Sequence, residues 1–465
     1  MRDTKPARDA SSSAAAAAST TPRFVEGSLL KHVLVMSGTG AVGLMAIFLG
    51  DFANLLFLGM LGDTEIIAAV GYASTVLFFS VSLGIGLSIG AAAVVSPAVG
   101  ARRTEDARRL STSAHLLSVV VSAIVVALLW PWLATVLGWL GARGRTLELA
   151  TTYSGIVLPS TPLLALGMCA GGVLRSVGDP RRAMYVTLGG AAINVLFDPI
   201  LIFWAGFGME GAAYASVLAR ITIAGIALWA VGRVHGMFGR PGLAALVGDT
   251  RRIMAVAVPA MMTNLATPTA NAFTTSVMAT YGDAAVAAWT IFGRVVPLAF
   301  GALFALSGSI GPIIGQNLGA GDFGRVRTAI REAVRVTAVF TLVAWGVLAL
   351  AAPFIASGFG ARGETEVLVL FACRWLAPLF AFLGGLFVAN AIFNTLRHPH
   401  YATLFNWGRA TIGTVPFVWL GGHLAGPHGV FVGNLVGAVV FGSIALVTCF
   451  RVVDRLEAAA KSTNG

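Results

Sequence analysis

The chain has 465 residues, 57% of them hydrophobic and only 11% charged, with a mean hydropathy of +0.84. A soluble protein of that length would carry roughly 25% charged residues, so a string of soluble domains is excluded and the recurring apolar runs point to one polytopic membrane protein. The net charge of +11 raises nucleic acid as a partner, but its distribution along the chain argues for a membrane surface instead.

Residues 1–28 are polar and low in complexity (Ser11-Ser-Ser-Ala-Ala-Ala-Ala-Ala18 within them) and lack the apolar core of a signal peptide, which predicts a disordered cytosolic tail. Twelve apolar runs follow, each near the ~20 residues needed to cross a bilayer: 30–56, 66–97, 110–140, 148–174, 183–204, 209–233, 252–280, 284–314, 331–357, 365–395, 400–421 and 428–450. Residues 234–250, with Gly236, Gly239, Pro241 and Gly242, read as a cytoplasmic linker, and 453–465 as a second cytosolic tail. The tails and the loops after even-numbered spans hold 24 of the 31 basic residues, and the odd loops only Arg143, Arg145 and Arg362. By the positive-inside rule both termini face the cytoplasm, which predicts a multi-pass protein of the cytoplasmic (inner) membrane. Trp130, Trp132, Trp139, Trp204 and Trp419 fall near the predicted outer ends, as an interfacial belt would. The 56 glycines suit close helix packing in lipid. Cys169, Cys373 and Cys449 sit inside apolar runs with no disulfide or zinc spacing and read as small packing residues.

The two halves resemble each other. Pro97-Ala-Val-Gly100 recurs as Pro312-Ile-Ile-Gly315, Leu61-Gly62-Asp63 as Tyr281-Gly282-Asp283, and Gly208-Met-Glu-Gly211 more loosely as Gly426-Pro-His-Gly429. An offset of roughly 215–220 residues with conserved loop order predicts two six-helix lobes, a repeat typical of transporters. The predicted fold is therefore an all-α membrane protein of twelve transmembrane helices in two pseudo-symmetric lobes, 29–233 and 251–452.

Only two acids lie deep in the spans: Asp51 in span one and Asp198 in span five. Intramembrane carboxylates are costly and rare, which makes them candidates for function. Asn194 and Asp198 are four residues apart and share a helix face, and Pro199 frees backbone carbonyls beside them. At ~1.5 Å per residue, Asp198 lies roughly 24 Å above Arg182 and Asp51 roughly 30 Å above Lys31, both in the outer half of the membrane. Aligned on the repeat, Asp51 falls opposite the neutral Asn271 and Asp198 opposite Phe417, so the acids belong to the first lobe. A carboxyl made easier to protonate by burial suits H⁺; the oxygens of Asp51, Asn194 and Asp198 equally suit Na⁺. A packing role at helix breaks is the rival reading. Four arginines also lie within spans: Arg220, Arg294, Arg374 and Arg409. They are expected either to line a substrate cavity, with Asn54 and Asn271, or to pair with helix-end carbonyls and the two acids.

These residues resemble the multidrug and toxic compound extrusion (MATE) family. The matches are the span-one acid followed by Leu61-Gly62; Ser96-Pro97-Ala-Val-Gly100 before a basic loop; Gly178-Asp179-Pro180 leading into Asn194-x-x-x-Asp198-Pro199; Gly211-Ala-Ala-Tyr-Ala-Ser216; and Gly311-Pro-Ile-Ile-Gly-Gln316-Asn317-Leu-Gly319-Ala-Gly321-Asp322. The resemblance implies alternating access and drug or metabolite efflux driven by H⁺ or Na⁺. It assigns the first-lobe cation site to Asp51, Asn194 and Asp198, with a span-six hydroxyl for which Ser216 is the match. Span seven, Pro259 to Asn271, lacks the glutamate of the NorM-like branch, so the chain looks closer to the DinF-like branch. Where the family usually has a proline in the first half of span one, this chain has Ser37-Gly38-Thr39-Gly40, so no proline-linked bend is expected there.

Gly38-Thr-Gly40-Ala-Val-Gly43 imitates a dinucleotide fingerprint and Gly86-Leu-Ser88-Ile-Gly90 a nucleophile elbow, yet neither has the strand that its chemistry needs. No Walker lysine exists. No nucleophile–base pair or metal set shares one depth, so no enzyme is predicted. The expectation is a monomeric antiporter without cofactor, whose partners are the bilayer and a small amphipathic substrate. A lipid-linked oligosaccharide or peptidoglycan-precursor flippase is the alternative.

Overall fold

A computed structural model describes residues 22–464. The tail predicted over 1–28 falls largely outside the described residues. Among those described, all regular structure is helical. The spans run Leu29–Gly59, Glu65–Gly100, Thr104–Trp139, Gly144–Ser176, Pro180–Trp204, Gly208–Val234, Leu243–Ala279, Asp283–Gly319, Phe323–Gly358, Glu364–Thr395 and Pro399–Ser462. The last holds two crossings. Its helicity fails at Ala425 (φ −143°) and at Gly426, whose φ of 57° is left-handed and suits glycine. That break separates spans eleven and twelve and completes the twelve transmembrane helices.

Several helices begin where an aspartate leaves a basic loop. Asp179 accepts from the Arg182 amide at 3.1 Å and Asp322 from the Arg325 amide at 2.8 Å, each satisfying a donor that the first turn leaves unpaired. Span one is one continuous helix of 31 residues. No proline stands within it.

The chain divides into two compact units. Among the described residues, the first comprises 22–26 and 42–258, the second 27–41 and 259–464. The divisions at 41/42 and 258/259 fall inside helices, span one and span seven, and the one at 26/27 falls just before span one. The sequence predicts a linker over 234–250, but the helix of span seven already starts at Leu243. Asp249 explains the difference. It is buried in the first unit, bonded by Arg109 Nε at 3.1 Å and Ser113 Oγ at 3.0 Å, so an acid that reads as loop is held within a helix. Likewise 453–465 is expected to be a tail, yet helix continues to Asn464, with Val453 buried and Asp454 2.8 Å from Arg327.

The first unit has two apolar clusters. One gathers Leu58, Val76, Leu137, Val157 and Ile202; the other gathers Ala91, Leu110, Cys169, Val186 and Ala227. In sequence, the stretches between them carry Ser80, Ser82 and Ser88 of span two, Ser160 and Thr161 of span four, Asn194 and Asp198 of span five, and Ser216 and Arg220 of span six. A polar layer thus interrupts the core of this unit. In the second unit the main cluster centres on aromatic rings, with Phe300 and Phe380 stacked at 4.6 Å.

Candidate cation site

Span five carries the central residue. Its α-helix runs Pro180–Pro199 and gives way to a π-helical turn, Ile200–Trp204. Pro199 has no amide hydrogen to donate, so the ladder loosens immediately after Asp198. The start of span six closes on this turn: a Cβ on Gly211 would lie 2.6 Å from the Leu201 carbonyl, so only glycine permits the approach.

Asp198 is fully buried. Its Oδ2 accepts from Asn54 Nδ2 at 2.9 Å, and its Oδ1 has no partner. One turn earlier, half-buried Asn194 presents an unpartnered, buried Oδ1. Span one reaches span five through small residues. Gly50 faces Ala191, and a Cβ on Gly43 would come within 2.5 Å of the Thr187 hydroxyl. Asn54, one turn after Gly50, makes the bond to Asp198. Asp51, three residues before Asn54, is exposed and makes no direct bond to Asn194 or Asp198. The link between span one and span five therefore runs through Asn54, which sequence reasoning assigns to a substrate cavity.

Tyr153 adds a wall to the site that sequence reasoning misses. It is buried in span four, seven residues before the Ser160 that Arg220 bonds. A lone tyrosine within an apolar span was its only sequence signal. Arg220 donates through Nη1 to the Val157 carbonyl at 3.0 Å and to Ser160 Oγ at 3.1 Å. It secures the short 3₁₀ turn Leu158–Ser160 that interrupts span four. This is the helix-end pairing expected for intramembrane arginines.

The other sequence candidates lie in the second unit. Asn271, Arg294 and Arg374 are exposed, while Arg409 is buried and donates to Thr267 Oγ1 at 2.9 Å. The first-unit set consists of carboxylate, amide and hydroxyl oxygens, hard donors suited to Na⁺ and also able to exchange a proton.

The MatE family model matches residues 41–200 and again 259–420, once in each half of the chain. The chain is 27% identical to the FAD transporter of Shewanella oneidensis over 439 residues, which cover 93% of this chain and 96% of that one. It is 22% identical to the multidrug export protein MepA of Staphylococcus haemolyticus, again over 93% of this chain and 96% of that one. A crystal structure of a mutant of the Vibrio cholerae MATE transporter VcmN superposes with a TM-score of 0.87 at 25% identity, covering 92% of this chain and 97% of the other. A MOP superfamily transporter from Pyrococcus furiosus, described as having a binding pocket of reversed polarity, superposes with a TM-score of 0.87 at 22% identity, covering 94% and 98%. With both halves matched and the polar site in its first unit, the chain belongs to the MatE family of membrane transporters.

Proposed function

We propose that this transporter exports small amphipathic molecules by antiport against H⁺ or Na⁺, and that the first unit binds the coupling cation at Asp198, Asn194 and Asp51, with Ser216 at its edge. The observation that carries the reading is Asp198 itself: a fully buried carboxylate with one oxygen held by Asn54 and the other free beside the free Asn194 oxygen. Two unpaired acceptors within one helical turn attract a cation. A buried carboxylate kept for packing alone would have had both oxygens satisfied.

The protein sits in the cytoplasmic membrane with both termini inside and works as a monomer, without cofactor or nucleic acid. The basic loops support this orientation. The multidrug export and FAD transport of its relatives support efflux over lipid-precursor flipping. One cation per cycle supplies ~2.3 kcal/mol per 100 mV, enough for a modest substrate gradient. Sensitive cells expressing Asp51→Asn should lose resistance to a transported drug at unchanged membrane expression. Full resistance in that variant would remove Asp51 from the coupling site.

A further inference from the structure

We propose that the second unit carries an oxyanion site built on Arg409, Thr267 and Asn264, and that the exported substrate is an amphipathic anion with a phosphate or carboxylate group. This rests on the export reading above. Arg409 lies ten residues into span eleven, ~15 Å along the helix from Pro399, and is only 5% exposed. Its Nη2 donates to the neutral Thr267 hydroxyl at 2.9 Å, and its buried Nε has no partner. Among the described residues no carboxylate pairs with it. An arginine inside a bilayer is rare without a partner, and its planar fork matches an oxyanion.

Helix capping does not account for this guanidinium. Arg409 stands at the end of the helix Pro399–Ala410, but the final carbonyls already have donors. Thr411 bonds the Trp407 carbonyl, Gly413 N bonds Gly408 O at 2.8 Å, and the Thr414 hydroxyl bonds Arg409 O at 2.9 Å. The guanidinium is left over. A second observation comes from span seven, where Asn264 Nδ2 is also buried without a partner. Asn264 lies one turn before Thr267, on the same face. Two unpaired donors, flanking the threonine that one of them engages, await an acceptor from outside the chain.

The wider charge pattern agrees. The deep acids Asp51 and Asp198 belong to the first unit, whose one intramembrane arginine, Arg220, is engaged by the span-four turn, while Arg294, Arg374 and Arg409 belong to the second.

The test compares FMN with riboflavin, which differ by one phosphate, on the purified full-length protein in nanodiscs of zwitterionic lipid without any ion gradient. Wild type should bind FMN about tenfold or more tightly than riboflavin, as charge-assisted hydrogen bonds predict. Arg409→Gln should erase that ratio. Asn264→Asp should erase it too, by placing a carboxylate one turn before the threonine that Arg409 bonds, and should do so without loss of thermal stability. Equal or absent binding of the two flavins by wild type would overturn the proposal, as would a preference that survives in both variants. Arg409-dependent stabilisation by phosphatidylglycerol with no response to FMN would instead assign the site to a lipid headgroup and overturn the substrate claim. Because no gradient is imposed, the FMN ratio stands or falls independently of ion coupling.

Discussion

Asp198 shows what a sequence can and cannot say about a single side chain. Its depth and its spacing to Asn194 were legible, because helical periodicity and span length set both. Its donor was not: Asn54 lies in another span, and only packing of Gly43 and Gly50 against span five brings it within 2.9 Å. Asn54→Ala should strip a buried carboxylate oxygen of its donor and cost about 1–3 kcal/mol in thermal unfolding. Combined with Asp198→Asn, the two costs should be non-additive by at least ~0.5 kcal/mol, measurable in a double-mutant cycle. Additive losses would mean that the bond does not operate.

A second residue tests electrostatics outside the spans. Asp179 precedes span five and is buried, which opposes its charge, but His235 at 2.9 Å, the Arg182 guanidinium and the Arg182 amide together hold its carboxyl well below the usual carboxylate range. A depressed carboxylate contributes stability above its unfolded value, ~3.9, and loses it as pH falls further. Asp179→Asn should therefore lower the unfolding midpoint at pH 5 and above, where the wild-type carboxylate is charged. The gap to wild type should narrow only in stronger acid. A gap that vanishes near neutrality would contradict this account.

At the scale of elements, the repeat becomes physical at its turns. Gly208 and Gly426 both adopt left-handed φ, 56° and 57°, and three residues later Gly211 and Gly429 both meet backbone where a Cβ has no room. A Cβ on Gly429 would lie 1.8 Å from the Gly421 carbonyl oxygen, so spans eleven and twelve touch backbone to backbone. Because neither backbone can yield as a side chain would, Gly429→Ala should cost at least the ~1–3 kcal/mol of an overpacked core. Gly138→Ala, at a position with open space, is the matched control. Comparable midpoints for the two would show that the approach is not tight.

Helix ends were the least legible elements, for a tertiary reason. Charged residues past an apolar run read as loop, yet Asp249 and Asp454 are helical because Arg109 and Arg327 on other helices pair with them. Such pairs are invisible to hydropathy. The break at Ala425 and Gly426 was legible, because glycine followed by proline punctuates any helix.

At the scale of the molecule, twelve spans, a twofold repeat and deep intramembrane acids confined to the first half all follow from patterns that one sequence carries. The MatE match to 41–200 and again to 259–420 reflects the same repeat. Less legible was the assignment of residues 27–41 to the second unit, because it depends on contacts such as Ser309 Oγ donating to the Met36 carbonyl at 3.1 Å. The central claim is that a buried first-unit carboxylate couples transport to a cation. Its most direct test is substrate efflux from proteoliposomes under separately imposed proton and sodium gradients, for wild type and Asp198→Asn. The account predicts that one gradient accelerates wild-type efflux and that neither accelerates Asp198→Asn. Undiminished gradient-driven efflux in that variant would contradict it.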